Sequence, residues 1–89
     1  MYSIVFSKKA FKDRQRLKRS NLEETTKLLL NKISLDPFCY PPSYEKLSIR
    51  SKNIYSRRIN RQHRLVYMVN SDKKEIYIIR MWTHYESIK

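Results

Sequence analysis

The residues best suited to chemistry are an isolated glutamate, a downstream arginine and a late histidine. Glu45 is the only acidic residue between positions 36 and 72, and Arg64 and His84 follow it. A carboxylate can take up a proton, a guanidinium can stabilise negative charge, and an imidazole can donate a proton near neutral pH. These three groups would suffice for metal-free RNA cleavage. The commoner roles for such residues are a salt bridge for the glutamate and a packed or exposed site for the histidine.

Arg57 and Arg58 are candidates for binding phosphate. Guanidinium groups bind phosphate oxygens through two parallel hydrogen bonds and stay charged at every physiological pH. Successive side chains of a strand point to opposite faces of a sheet. Unless a bulge intervenes, one of the two arginines is therefore expected on the helix side of the sheet or at its margin. The alternative to a phosphate site is a solvated face on which one of the two arginines pairs with an acid.

The remaining histidine and the aromatic residues are weaker candidates. His63 could compete for the acid role, but its place at a strand start beside a turn favours a structural part. Tyr85 is the aromatic residue that we expect to stack on an unpaired base, because tyrosines within strands usually belong to the core. Two histidines and scattered acids lack the spacing of a metal site. We therefore predict no metal and no other cofactor.

The chain as a whole is basic and contains no glycine. Its 89 residues include 20 lysines and arginines against 8 acids, a net charge of +12. That balance favours polyanionic partners such as nucleic acid, acidic proteins or anionic membranes. Without glycine, neither a Gly-rich phosphate loop nor a dinucleotide fingerprint can form. The apolar run at residues 2–6 is too short for a signal peptide or a membrane span, so one cytoplasmic domain over residues 1–89 is predicted, with no membrane attachment.

Two helices are predicted in the N-terminal half, after a first strand at residues 2–6. The first helix covers residues 8–19 with Ser7 as its N-cap, and it is crowded with basic side chains. Asn21 and Glu24 resemble a capping box at the start of the second helix. Asp36 precedes a proline, which disfavours helical backbone and ends this helix.

After a loop at residues 37–44, the hydrophobic pattern changes to a period of two. Four more strands are predicted, at residues 46–49, 54–60, 64–69 and 75–80. Their short connections favour antiparallel neighbours, and the strand at 64–69 is apolar on both faces, as a central strand would be. The predicted fold is α+β, with two N-terminal helices packed on one face of a twisted, mostly antiparallel sheet of about four to five strands.

The chain resembles the Txe/YoeB family of bacterial toxins, within the RelE-like superfamily. The resemblance rests on Pro37-Phe38, Glu45-x-Leu47, Ser56-Arg57-Arg58-Ile59, His63-Arg64-Leu65-Val66-Tyr67 and His84-Tyr85. Residues 1–36 match only in architecture. The resemblance implies an endoribonuclease that cuts mRNA in the ribosomal A site and leaves 2′,3′-cyclic or 3′-phosphate and 5′-hydroxyl ends. Its implied partners are the ribosome with mRNA, a cognate antitoxin of YefM/Axe-like type and a second copy in a homodimer.

The resemblance also implies roles for individual residues. Glu45 would be the general base, Arg64 the transition-state stabiliser and His84 the general acid. Tyr85 would position the nucleotide, and Arg58 would contact the RNA backbone or order the site.

This chain departs from the family pattern at several positions. Ser48 stands where relatives commonly carry a lysine, so Lys46 or Arg50 is expected to supply the missing phosphate contact. The chain also continues for residues 86–89, beyond the His-Tyr at which most relatives end. A basic first helix, where relatives are often acidic and aromatic, affects antitoxin docking more than the chemistry.

Two other functions remain open from the sequence. A non-catalytic RNA- or ribosome-binding module would need the arginines but would have no use for Glu45. A toxin relative that has lost activity would survive as a binding partner or co-repressor. The sequence does not specify the codon preference, the oligomeric state or the antitoxin.

Overall fold

A computed structural model of the chain describes residues 1–49 and 52–83. The elements in chain order are β1 (Ser3–Phe6), α1 (Lys8–Lys18), α2 (Glu23–Leu35), β2 (Glu45–Ile49), β3 (Lys52–Arg58), β4 (Arg64–Asn70) and β5 (Glu75–Thr83). The strands form a five-stranded sheet in the order β1-β5-β4-β3-β2. β1 runs parallel to β5, and the other neighbours are antiparallel. The predicted α+β fold is confirmed, and β4 is central as expected.

The sheet has a helix face and an open face. On the helix face, the buried core joins apolar residues of both helices to those of the three middle strands, among them Ala10, Leu17, Leu29, Ile33, Leu65, Tyr67, Ile76 and Ile78. On the open face, Leu47, Ile54 and Val66 form a smaller buried cluster with Met68 and Ile79 packed against it. Because β4 is buried on both sides, its alternating residues belong to the two clusters in turn.

A serine side chain caps the first helix but not the second. The Ser7 hydroxyl oxygen accepts a hydrogen bond from the Ala10 backbone N–H at 2.9 Å, which confirms the predicted N-cap of α1. The predicted capping box of α2 is wrong. This helix has Leu22, which has no side-chain oxygen, at its N-cap position, and Ser20 accepts a hydrogen bond from the Leu22 N–H in the turn before it. None of the described helices is long and apolar enough to cross a lipid bilayer.

The buried carboxylate of Asp13 connects α1 to β5 through hydrogen bonds. Asp13 accepts hydrogen bonds from Arg80 Nε at 2.9 Å and Nη2 at 3.3 Å, and from the Met81 backbone N–H at 3.0 Å. Beside Arg80, the pairing of β5 with β4 shifts register between Arg64 and Val66 and again between Val66 and Tyr67. β5 therefore contains additional residues there. The carboxylate therefore satisfies a backbone donor in an irregular stretch of strand, which also explains why an acid is buried in the helix.

Replacing Asp13 with asparagine should lower the free energy of unfolding by about 1–3 kcal/mol. The amide keeps one acceptor for the Met81 N–H but turns an N–H₂ group toward the Arg80 guanidinium, which is then left without its counter-charge. Urea denaturation measures the effect, and Asp72→Asn in the exposed turn before β5 is the matched control, with an expected change within about 0.5 kcal/mol. Equal stabilities of the two variants would contradict the role assigned to Asp13.

Candidate active site

Glu45 and Arg64 come together on the open face of the sheet. Glu45 pairs with Ser56 of β3, and Ser56 pairs with Val66 of β4, two residues after Arg64. This register places the glutamate and the arginine on the same face across three strands. Arg64 Nη1 lies 3.8 Å from Glu45 Oε1 and donates a long hydrogen bond of 3.4 Å to the Ser56 hydroxyl. The buried Ser56 is a site residue to which the sequence had given no role.

The two charged groups differ in their exposure. The Glu45 side chain is 53% exposed, whereas the Arg64 side chain is 9% exposed. The 3.8 Å between Glu45 Oε1 and Arg64 Nη1 is too long for a hydrogen bond, so these two atoms attract each other by charge alone. A ligand hydroxyl can therefore reach Glu45, and negative charge that develops beside it would meet a fixed guanidinium.

Arg58 extends the positive charge of this face. It pairs with Arg64 across the β3–β4 ladder and its side chain is exposed. An exposed guanidinium next to a buried one fits the predicted contact with an RNA backbone, which stays a prediction. His84, Tyr85 and Arg50 lie outside the described residues. His84 nevertheless follows Thr83, the residue of β5 that pairs with Arg64, directly in the sequence.

Arg57 does not take part in the open face. It is 1% exposed and donates from Nε to the Tyr67 hydroxyl at 2.9 Å. Its terminal nitrogens donate to the backbone carbonyls of Pro42 at 2.6 Å, Cys39 at 2.8 Å and Pro37 at 3.2 Å. The prediction that Arg57 contacts RNA is therefore wrong, because its guanidinium is engaged inside the protein. As the alternation of side chains along β3 required, one of the two arginines, Arg57, points to the helix face of the sheet.

The bonds of Arg57 fix the loop that leads into β2. All three carbonyls belong to residues 37–44, and the guanidinium also lies 4.8 Å from the ring centre of Tyr44, the neighbour of Glu45. The Tyr67 hydroxyl donates to the Pro37 carbonyl at 2.9 Å. Burial raises the pKa of Tyr67, an effect that its bond from Arg57 only partly offsets, so the hydroxyl stays protonated and keeps donating. Arg57 is thus a positioning residue for the strand that carries Glu45.

Lys46 lies on the other face of the sheet from Glu45. It pairs with Tyr55, whose ring belongs to the helix-side core, and successive residues of β2 alternate between faces. Its side chain is exposed at the edge of the sheet. Because this side chain is exposed, the expected phosphate contact of Lys46 stays a prediction.

His63 has a structural role, as its place at a strand start beside a turn suggested. Its backbone N–H donates to the Asn60 side chain at 2.7 Å, and its ring stacks on Trp82 at 3.9 Å between centres. The ring nitrogen Nδ1 lies 2.8 Å from the Trp82 carbonyl. Because a carbonyl only accepts, Nδ1 carries the proton. Within residues 1–49 and 52–83, no group of three or more histidines, cysteines or acids could hold a metal ion.

The chain is similar to known proteins over most of its length. Residues 6–85 match the model of a family described as YoeB-like toxin of bacterial type II toxin-antitoxin system. Toxin YoeB of Synechocystis is 36% identical over 74 residues, which are 83% of this chain and 77% of that protein.

Solved structures from Staphylococcus aureus show the same fold. A YoeB-YefM complex has a chain with a TM-score of 0.78 and 33% identity, and the match covers 96% of this chain and 99% of that one. A YoeB dimer gives a TM-score of 0.80 and 32% identity, with 94% of this chain and 98% of that one covered.

Proposed function

Since the chain belongs to the family of YoeB-like toxins of bacterial type II toxin-antitoxin systems, we propose that it is a ribosome-dependent, metal-independent endoribonuclease. Its substrate would be mRNA in the ribosomal A site, and its place of action the cytoplasm. The observation that carries the proposal is the Glu45 carboxylate 3.8 Å from the Arg64 guanidinium on the open face of the sheet. A pure binding module would have no use for this acid among the cations.

The proposed reaction needs three groups. Glu45 takes the proton from a ribose 2′-hydroxyl, and the 2′-oxygen attacks the adjacent phosphorus in line with the 5′-oxygen. Arg64 stabilises the negative charge that develops on the phosphorane oxygens. The bond from phosphorus to the 5′-oxygen then breaks, and His84 gives that oxygen a proton. The products are a 2′,3′-cyclic phosphate, which hydrolyses to a 3′-phosphate, and a 5′-hydroxyl end.

The chain itself supplies few side chains that could align the RNA substrate. Arg58 would hold the phosphate backbone, and Tyr85 would position the nucleotide. Three reacting side chains do not by themselves keep a flexible RNA in the in-line geometry, and correct alignment accounts for a large share of such a barrier. We therefore assign the alignment of the mRNA to the ribosome, which makes cleavage depend on translation.

We further propose that the chain is neutralised by an antitoxin of YefM-like type. The related Staphylococcus aureus toxin forms a complex with YefM and also a dimer. A net charge of +12 favours an acidic, partly disordered antitoxin segment that orders on binding and covers Arg58 and Arg64. Homodimerisation of this chain is proposed on the same comparison.

Wild-type protein should cut A-site mRNA in a single-turnover assay with translating ribosomes, and should cut the same RNA weakly or not at all when it is free. Saturating antitoxin should abolish cleavage, because it covers the basic face. A pelleting assay run in parallel separates ribosome binding from cleavage.

Three outcomes would contradict the proposal in whole or in part. Ribosome binding without any cleavage would favour the RNA-binding module. Antitoxin binding without ribosome-dependent cleavage would identify a toxin relative that has lost its activity. Equal cleavage of free and ribosome-bound RNA would leave the nuclease but remove the role of the ribosome.

A further inference from the structure

A second basic surface lies on α1, away from Glu45 and Arg64. Lys8, Lys12, Arg16 and Arg19 form what we call the α1 basic stripe, and all four side chains are exposed. Their spacing of three or four residues puts them in one row along the helix. The buried residues of α1, Ala10, Asp13 and Leu17, occupy the opposite side.

No carboxylate among the described residues forms an ion pair with the stripe. Asp13 is the only acid of α1, and it is buried on the far side with its oxygens bound to Arg80 and the Met81 N–H. The ion pairs formed among the described residues are Lys27–Glu23, Arg64–Glu45 and Arg80–Asp13, none of which includes a member of the stripe. Like charges one turn apart destabilise a helix by a few tenths of a kcal/mol per pair, roughly, and a bound polyanion would remove that repulsion.

The position of the stripe separates it from the candidate active site. α1 packs on β5 and β1 at the helix face, whereas Glu45 and Arg64 lie on the open face of β2 and β4. A segment of RNA aligned at Glu45 would therefore not also lie along the stripe. Phosphates that contact the stripe would belong to a different segment.

We propose that the α1 basic stripe binds the phosphate backbone of a second RNA segment. This deepens the proposed function by giving the chain two RNA surfaces on opposite layers, and it rests on that function only for the choice of RNA as the polyanion. A row of cations suits phosphates, which need charge and little else. A protein partner would need an apolar centre, and Phe11 is the one large apolar side chain of α1 that is exposed.

The test uses a short single-stranded RNA with 2′-O-methyl riboses, which cannot be cleaved. Lys8, Lys12 and Arg16 are changed together to glutamine, which is a good helix former, and circular dichroism checks the fold. The control changes Lys32, Lys73 and Lys74 to glutamine, an equal loss of charge at exposed positions elsewhere. At low salt we expect two RNA molecules per chain for the wild type and the control, and one for the stripe variant.

Salt dependence identifies the site that is lost. Binding at the four-residue stripe should weaken with a slope of log affinity against log salt of roughly −3, from about −0.7 for each of four phosphate contacts. The proposal is overturned if the stripe variant still binds two molecules, or if the control loses one as well. Polyglutamate serves as a probe for an acidic protein partner. A stripe variant that still binds two RNA molecules but no longer binds polyglutamate would identify a protein-docking surface and overturn the proposal. Because this RNA cannot be cut, a failure of the proposed nuclease activity would leave these results unaffected.

Discussion

Glu45→Gln should slow the chemical step of mRNA cleavage by roughly 10²–10⁴-fold and leave ribosome binding in place. The amide keeps the shape of the side chain but cannot take a proton from the 2′-hydroxyl. His84→Ala should have an effect of the same size, because the leaving 5′-oxygen then departs without a proton donor. Arg64→Ala should cost about 2.7–4 kcal/mol of transition-state stabilisation, roughly 10²–10³ in rate. Single-turnover cleavage of A-site mRNA measures all three.

The matched control is Lys73→Gln, which removes one charge from the exposed turn between β4 and β5. Because this turn lies at the other end of β5 from Thr83, the residue that pairs with Arg64, its loss should leave the cleavage rate unchanged. A pelleting test shows whether each variant still binds ribosomes. If Glu45→Gln and His84→Ala both cleave at the wild-type rate, the proposed mechanism is wrong.

Arg57→Ala should destabilise the fold by about 3–5 kcal/mol, a large part of the total stability of a small domain. The substitution leaves the carbonyls of Cys39 and Pro42 without their donor in a partly dry environment, while the Pro37 carbonyl keeps only its bond from the Tyr67 hydroxyl. It also opens a cavity beside Tyr67. Arg57→Lys keeps the charge but lacks the planar fork that serves several acceptors, so it should recover only part of the loss. Urea denaturation measures both variants.

Arg58→Ala provides the contrast with Arg57. The two residues are adjacent and chemically identical, but Arg58 is exposed, so its loss should change stability by no more than about 0.5 kcal/mol. It should instead weaken RNA binding. Similar losses of stability in the two alanine variants would contradict the positioning role of Arg57.

Sequence patterns were sufficient for the architecture. Periodicity separated two helices from the strands, and the two-sided apolar pattern of residues 64–69 identified the central strand. The start of α2 was mispredicted because two polar residues, Ser20 and Asn21, were available to close the same turn. Ser20 closes it by accepting a hydrogen bond from the Leu22 N–H, and the sequence does not distinguish the two residues.

The candidate site was predicted less completely. Glu45 and Arg64 are close, as the chemistry requires, because register across β3 brings them to one face. Alternation required one of Arg57 and Arg58 to point inward but could not say which, since that depends on how β3 pairs with both neighbours. The partners of Arg57 are backbone carbonyls of an irregular loop, and carbonyl groups have no signature in a sequence.

The parallel pairing of β1 with β5 has a consequence for the order in which the chain can fold. β5 is the last described strand to be synthesised, and it inserts between β1 and β4. Until it emerges, β1 and α1 lack the strand on which they pack, and Asp13 has no Arg80 to bind. Contacts between such distant parts of a chain form late and slowly. A ribosome that is translating this protein therefore has to release residues up to Thr83 before the five-stranded sheet that supports Glu45 and Arg64 can form.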